Sequence, residues 1–123
     1  MQLITNEIRK QLEANYLETQ EAENPGWRPY RNFDPRPVVK LFNPCGAQTW
    51  LITEIEPGTN NAFGLCDLGM GSPELGYVSI DELAALKLPG WRNMGIERDI
   101  HFNPVMTISE YAEQARETGS IAA

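Results

Sequence analysis

The chain has 123 residues, a formal charge of −7 and a hydrophobic fraction of 41%, a composition typical of one globular domain. The sequence contains no apolar run long enough for a membrane span and no apolar leader, which argues against a membrane protein and predicts a cytoplasmic location. Two cysteines and one histidine exclude a disulfide scaffold and leave few ways to build a zinc or iron site, so we expect no metal and no cofactor.

The first predicted element is an amphipathic helix. Ile8, Leu12 and Tyr16 recur every four residues after Thr5, a residue type that favours helix starts, and the pattern fades near Glu21. Four prolines then occur within residues 24–37, a density that neither a helix nor a central strand tolerates. This Pro-rich segment is predicted to be ordered but irregular, with its aromatic rings packed onto the core.

Three strands are predicted next, in "VVKLFNP", "AQTWLITEIE" and "AFGLCDLG", with "PGTNN" as the hairpin turn between the last two. In the second strand both faces carry large apolar side chains, which predicts a central strand with a layer on each side. Alternation places four residues on one face, Thr49, Leu51, Thr53 and Ile55. It places four on the other, Trp50, Ile52, Glu54 and Glu56.

Two more strands and two more helices complete the predicted fold. "LGYVS" and "GIERDIHF" are the strands, and the pairs Ser79/Glu82 and Thr107/Glu110 have the spacing of helix capping boxes. The helices following these pairs are "IDELAAL" and "ISEYAEQARE", the latter ending at Gly119. The sequence therefore predicts a single α+β domain with a mainly antiparallel sheet of about five strands and N-terminal, short middle and C-terminal helices.

The only histidine, His101, follows Asp99 and Glu97 at strand spacing. In a regular strand these three side chains share a face, but Glu97 and His101 are then about 13 Å apart, too far to hold one metal ion. Asp99 and His101, about 6.6 Å apart, could share a hydrogen bond, but no nucleophile accompanies them. We therefore assign no catalytic residue and expect a protein that is not an enzyme.

The glycine-rich stretch "GLCDLGMGSPELG" follows a strand and invites comparison with a phosphate-binding loop. It lacks the third glycine of GxGxxG and the Gly-Lys-Ser/Thr of a P-loop, and Pro73 stands where helix N–H groups would be needed. We expect Gly69, Gly71 and Gly76 to serve a tight connection with positive φ angles.

Charge is unevenly distributed. Residues 41–86 contain no Lys or Arg, a field that opposes binding to nucleic acid or to a membrane surface and favours a basic protein partner. If exposed together, the acidic residues of this region would form a negative patch suited to a basic groove; otherwise they are a solvated rim. The candidate partner-binding acids are Glu54, Glu56, Asp67 and Glu74, with Asp81 and Glu82 beside them.

A second candidate surface lies in the Pro-rich segment and continues to Lys40. Trp27, Arg28, Tyr30 and Arg31 interleave aromatic and basic side chains, as proteins that bind single-stranded nucleic acid do. The alternative is a flap that packs its rings inward and pairs its arginines with the acidic middle of the chain.

Several blocks together resemble a known family. "ITNEIRKQL", "VVKLFNPCGAQTWLITE", "FGLCDLGMGSPELGYVSIDEL" and "GIERDIHFNP" are similar, in order and spacing, to the bacterial family named domain of unknown function 2958. The resemblance implies a small single-domain protein encoded on mobile elements or bacterial chromosomes, and it supplies no activity, cofactor or catalytic residue.

The expected function is therefore that of a small acidic accessory protein of a mobile genetic element. It would act by binding a basic host or element-encoded protein, for example as an inhibitor of a host defence nuclease complex of the anti-CRISPR or anti-restriction type. The alternative is nucleic-acid binding through the segment from Trp27 to Lys40.

Overall fold

A computed structural model describes residues 2–21, 33–87 and 94–123. Within these ranges no helix combines the length and apolarity needed to cross a bilayer. The described residues form three helices and five strands, and the predicted α+β class is confirmed. In chain order the elements are α1 Asn6–Glu21, β1 Val39–Phe42, β2 Thr49–Ile55, β3 Asn61–Asp67, β4 Glu74–Ser79, α2 Ile80–Ala85, β5 Glu97–Arg98 and α3 Ile108–Thr118.

The five strands form one antiparallel sheet in the order β4-β3-β2-β1-β5. The predicted central position of β2 is confirmed, because its side chains enter two separate apolar clusters. Trp50 and Ile52 pack with Leu12 of α1, whereas Leu51 packs with Ile108 and Tyr111 of α3. Helix α1, with Ile80 and Leu83 of α2, therefore packs on one face of the sheet, and α3 packs on the other. Each fully buried leucine contributes about 1.5–3 kcal/mol of hydrophobic stabilisation.

The predicted alternation along β2 is wrong at its C-terminal end. Ile52 is opposite Gly64, but Glu54 is opposite Phe63, so Thr53 is an extra residue in β2. An extra residue reverses which face each following side chain occupies. Ile55 consequently joins the cluster of Ile52, not that of Leu51.

Local capping chemistry sets the helix ends where the sequence predicts them. The Thr5 hydroxyl accepts from the Ile8 N–H at 3.2 Å, and the Ser79 hydroxyl accepts from the Glu82 N–H at 3.2 Å. At α3 the Glu110 carboxylate accepts from the Thr107 N–H at 2.9 Å, and Gly119 ends the helix with a φ of 86°. Because these bonds join neighbours in the chain, they are readable from sequence.

The predicted fifth strand is largely wrong. β5 contains two residues, Glu97 and Arg98, paired with β1. The chain then turns, because Asp99 Oδ1 accepts from the His101 N–H at 2.9 Å and the Phe102 N–H donates to the Asp99 carbonyl at 3.2 Å. An aspartate that bonds its own downstream backbone favours a turn over a strand.

The glycine prediction holds at two of three positions. Gly69 and Gly71 have φ angles of 80° and 82°, as expected for the tight connection between β3 and β4. Gly76 lies inside β4, opposite Gly64, and does not have a positive φ. Of the Pro-rich segment, residues 33–37 are described and form neither helix nor strand, while the predictions for Trp27 and Tyr30 lie outside the described residues.

Candidate functional site

A cleft of about 510 Å³ opens between the C-terminal half of α1 and the strands β2, β3 and β4. Its floor is a row of opposed residues, since Glu54 is opposite Phe63 and Phe63 is opposite Tyr77. Opposed side chains in an antiparallel ladder lie on the same face of the sheet. The cleft is lined by Tyr16, Gln20, Glu54, Glu56, Asn61, Phe63, Tyr77, Val78, Ser79 and Glu82.

The extra residue in β2 brings Glu54 into this row. Strict alternation would place Glu54 on the face of Trp50 and Ile52, which packs against the N-terminal half of α1. With Thr53 inserted, Glu54 is instead opposite Phe63. Bulges commonly re-aim a side chain in this way at functional surfaces.

Helix α1 contacts the β-bulge that the extra residue Thr53 forms in β2, and it forms one wall of the cleft. Asn15 Nδ2 donates to the Thr53 carbonyl at 3.0 Å, and the Thr19 hydroxyl donates to Glu54 Oε2 at 2.6 Å. Both helix residues are buried, at 6% and 2% exposure. Asn15 and Thr19 of α1 therefore fix the positions of Thr53 and of the Glu54 carboxylate, which is itself only 4% exposed.

The cleft also presents aromatic rings. Phe63 and Tyr77 pack edge to face, with ring centroids 4.9 Å apart and an interplanar angle of 67°. Phe63 is 8% exposed, whereas Tyr77 is 79% exposed and lies at the rim. The face of an exposed tyrosine ring attracts ammonium and guanidinium groups.

Among the described residues, the charged side chains that line the cleft are all negative. Three of these lining residues are glutamates, Glu54, Glu56 and Glu82, and none of those described is Lys or Arg. Burial, followed by the negative charges of Glu56, Tyr77 and Glu54, raises the pKa of Tyr16 above its ordinary 10.0. A site that disfavours an additional negative charge favours a positive one, so this cleft suits a cationic group.

The structure separates the four acidic residues proposed from sequence. Glu54 and Glu56 line the cleft, and Glu74 is exposed on β4. Asp67 is 2% exposed, with Oδ1 accepting from the Gly69 N–H at 2.8 Å and Oδ2 from the Ile121 N–H at 3.0 Å. Its carboxylate satisfies backbone donors inside the fold and therefore does not belong to the exposed acidic surface.

The basic and aromatic candidates Trp27, Arg28, Tyr30 and Arg31 lie outside the described residues. Lys40, at the end of that segment, is described. Its Nζ lies 2.7 Å from the Ala123 carbonyl oxygen and 3.5 Å from Asp99 Oδ2. The Lys40 charge is therefore engaged within the fold.

The structure places Asp99 and His101 in the turn that follows β5. In the part of the chain that the structure describes, no group of three or more His, Cys, Asp or Glu side chains is arranged to hold a metal ion. His101 is exposed, and its backbone N–H, not its imidazole, donates to Asp99 Oδ1 at 2.9 Å.

Sequence reasoning missed the aromatic half of the cleft. Tyr16 recurs with Ile8 and Leu12 at helical spacing in α1. Nothing in the neighbouring sequence shows that Tyr16 lines a cleft and is not a core residue. Phe63 and Tyr77 are 14 positions apart and meet only through the β3–β4 register. The one available signal is the alternation in β4, which places Leu75 and Tyr77 on the same side.

The family model described as "Protein of unknown function (DUF2958)" matches residues 3–122. The chain belongs to this family. No curated protein and no solved structure matches it. Family membership covers all five strands and three helices, and the cleft described above lies within the matched range.

Proposed function

We propose that this protein is a non-enzymatic accessory protein that acts by binding a basic segment of another protein in the cleft floored by Glu54, Phe63 and Tyr77. The observation that carries the proposal is the combination of three carboxylates with the exposed ring of Tyr77 in one cleft. A Lys or Arg side chain of the partner would enter it.

The geometry favours a cation for two reasons. The Glu54 carboxylate is held in place by Thr19 before any ligand arrives, so little side-chain entropy is lost on binding. The tyrosine ring gives a guanidinium or ammonium group a favourable face in the same cleft. Such charge complementarity sets partner choice and association rate.

The test is a binding titration with a synthetic peptide of about nine alternating Arg and Val residues, blocked at both ends, a length that spans one strand. A peptide with Glu in place of Arg is the control for charge. We expect the Arg–Val peptide to bind with a dissociation constant that rises with salt and the Glu–Val peptide not to bind.

A matched pair of double variants locates the site. Glu56→Gln with Glu82→Gln removes two charges from the cleft, whereas Glu113→Gln with Glu117→Gln removes two exposed charges from α3. The cleft variant is expected to weaken binding at least about tenfold, or 1.4 kcal/mol, and the α3 variant much less. Equal effects of the two variants would show that the peptide responds to net charge alone and would contradict the proposal.

A more specific form of the proposal identifies the partner as a host defence nuclease complex. The acidic surface around the cleft would then block the basic nucleic-acid groove of that complex. The charge of −7 and the absence of Lys and Arg from residues 41–86 support this form. A pull-down from host lysate should recover a nucleic-acid-binding protein with the wild type and with the α3 variant, and not with the cleft variant. Recovery of no such protein by the wild type would count against it.

The competing function is nucleic-acid binding through the segment from Trp27 to Lys40. It predicts that labelled single-stranded DNA binds at low salt and that alanine at Trp27 and Arg28 abolishes binding. Absence of binding at micromolar protein would exclude it, and the cleft variants should leave any such binding unweakened.

A further inference from the structure

β4 is an edge strand with an open outer side. It ends the sheet order β4-β3-β2-β1-β5, and among the described residues no strand pairs with it on the side away from β3. Its six residues contain no Pro and no Lys, the residues that commonly block pairing at sheet edges. Within the described ranges, the backbone groups on its outer side are therefore available to another strand.

The hydrogen-bond register shows which groups these are. The Ile80 N–H donates to the Asn60 carbonyl at 2.9 Å, and hydrogen-bonded pairs alternate along an antiparallel ladder. Val78 and Gly76 lie two and four residues before Ile80, so they also form hydrogen-bonded pairs and direct their N–H and C=O groups inward to β3. The N–H and C=O groups of Leu75 and Tyr77 consequently point to the open side.

Apolar side chains accompany these outward-pointing backbone groups. Leu75 and Tyr77 are 37% and 79% exposed, and in the loop before β4 Leu68 and Met70 are 54% and 82% exposed. A groove of about 280 Å³ runs along this edge. It is lined by Cys66, Leu68, Met70, Ser72, Glu74, Leu75, Gly76 and Tyr77.

Charge indicates what the edge pairs with. Glu74 lines the groove, and Tyr77 lines both the groove and the cleft that contains Glu56 and Glu82. A second copy of this chain would bring the same carboxylates and a further charge of −7 to the edge. Like charges brought together at an interface oppose association, whereas a basic strand is attracted.

We propose that an extended basic segment of the partner protein pairs with β4 as a sixth strand of the sheet. Its backbone bonds to Leu75 and Tyr77, its apolar side chains cover the groove, and one cationic side chain enters the cleft beyond Tyr77. This inference rests on the proposed function, and it specifies the conformation of the partner segment. Backbone bonds supply affinity in such strand addition, and alternate side chains supply specificity.

A proline scan along β4 tests the pairing. Leu75→Pro removes one outward N–H and leaves the ladder to β3 intact, since Pro is tolerated on an edge strand where the N–H faces solvent. Leu75→Ala is the control for the lost side chain. Gly76→Pro is the control for the direction of the lost N–H, because the Gly76 N–H points inward to β3. Its removal is expected to destabilise the fold.

The expected result is that Leu75→Pro, folded by circular dichroism, binds the Arg–Val peptide at least about tenfold more weakly than Leu75→Ala. A peptide of the same sequence with all its backbone nitrogens methylated should also lose at least about tenfold in affinity for the wild type. On binding the unmethylated peptide, amide exchange at Leu75 and Tyr77 should slow, while Gly76 and Val78 are protected already in the free protein.

Three results would overturn the inference. Equal binding by Leu75→Pro and Leu75→Ala, with no new amide protection, would leave binding in the cleft intact and exclude strand addition. A concentration-dependent dimer that Leu75→Pro abolishes would identify a second copy as the occupant. No binding of the Arg–Val peptide by the wild type would overturn both this inference and the proposed function.

Discussion

The Thr19 hydroxyl of α1 donates a 2.6 Å hydrogen bond to Oε2 of Glu54, the residue that follows the extra residue of β2. The bond joins a helix to a strand across 35 positions of the chain. It places a buried carboxylate at the floor of the cleft beside Phe63. The position of this charge therefore depends on the packing of α1 as much as on the sheet.

Replacing Thr19 should test that dependence. Thr19→Val keeps the shape of the side chain but removes the donor to a buried carboxylate, and we expect it to lower the free energy of unfolding by about 1–3 kcal/mol. Thr19→Ser keeps the hydroxyl and is expected to lose less. Urea denaturation of the three proteins measures the difference, and a valine variant as stable as the serine variant would contradict the structural role of the bond.

Two opposed glycines offer a second test. A Cβ on Gly64 would overlap the Leu51 carbonyl oxygen and lie 2.8 Å from the Ile52 Cα, both backbone atoms of β2. Gly64→Ala should therefore destabilise the protein by at least about 2 kcal/mol. Gly76, opposite it in β4, has open space at the Cβ position.

Gly76→Ala is thus the matched control for Gly64→Ala. It should be neutral or slightly stabilising, because glycine inside a strand costs conformational entropy. Thermal and urea denaturation of both variants give the comparison. Similar stabilities for the two variants would show that β2 and β3 are not as close at Gly64 as the structure places them.

A substitution at Asp67 tests whether this residue has a structural role inside the fold or a role in binding. Asp67→Asn replaces one of two accepting oxygens with an amide, so either the Gly69 or the Ile121 N–H loses its partner. We expect a loss of about 1–3 kcal/mol in stability and faster exchange of the amide that loses its partner, Gly69 or Ile121.

The control for Asp67→Asn is Glu74→Gln, which removes the same charge from an exposed position. It should leave stability within about 0.5 kcal/mol of the wild type. If Asp67→Asn left stability unchanged and weakened binding of the Arg–Val peptide, the result would show that Asp67 takes part in binding and not in the internal structure.

The predictable parts of this fold are those set by neighbours in the chain. Thr5, Ser79 and Gly119 mark helix ends through bonds that span three or four positions. The two-sided apolar pattern of β2 likewise predicts a central strand. Local chemistry also explains the shortened β5, since the Asp99 side chain turns the chain at His101, but strand alternation alone did not reveal it.

The cleft was not predictable because it depends on contacts between distant residues. An extra residue at Thr53 leaves no mark in the sequence, and it decides whether Glu54 lies on the face of Ile52 or on the face of Phe63. The bonds from Asn15 and Thr19 that accompany it span 38 and 35 positions. Composition identified the acidic region, but only the three-dimensional contacts distinguish the acids that line the cleft from Asp67, which is buried and accepts from backbone N–H groups.

The Cys66 thiol provides a chemical test of burial. Desolvation raises the pKa of Cys66 from 9.0 to about 11, so the thiol stays protonated at the pH of most labelling experiments. In a Cys45→Ser background we expect Cys66 to react with iodoacetamide at about pH 8 roughly a hundredfold more slowly than in urea. Mass spectrometry of timed samples measures both rates, and equal rates would place the thiol in solvent.

The ionisation of Tyr16 reports the charges in the cleft. Its pKa is raised by burial and then by negative charge, with Glu56 contributing more than Tyr77 or Glu54. Glu56→Gln should therefore lower the Tyr16 pKa toward its ordinary value without reaching it, because the burial remains. Glu74→Gln removes a charge that does not line this cleft and should leave the Tyr16 pKa unchanged.

The same titration detects occupation of the cleft. A guanidinium group beside Tyr16 stabilises the phenolate, so saturation with the Arg–Val peptide should lower the Tyr16 pKa, and the Glu–Val peptide should not. NMR of the tyrosine ring carbons follows each titration, with Tyr16→Phe identifying the signal. A Tyr16 pKa that stays constant while the peptide binds would place the cationic side chain outside the cleft.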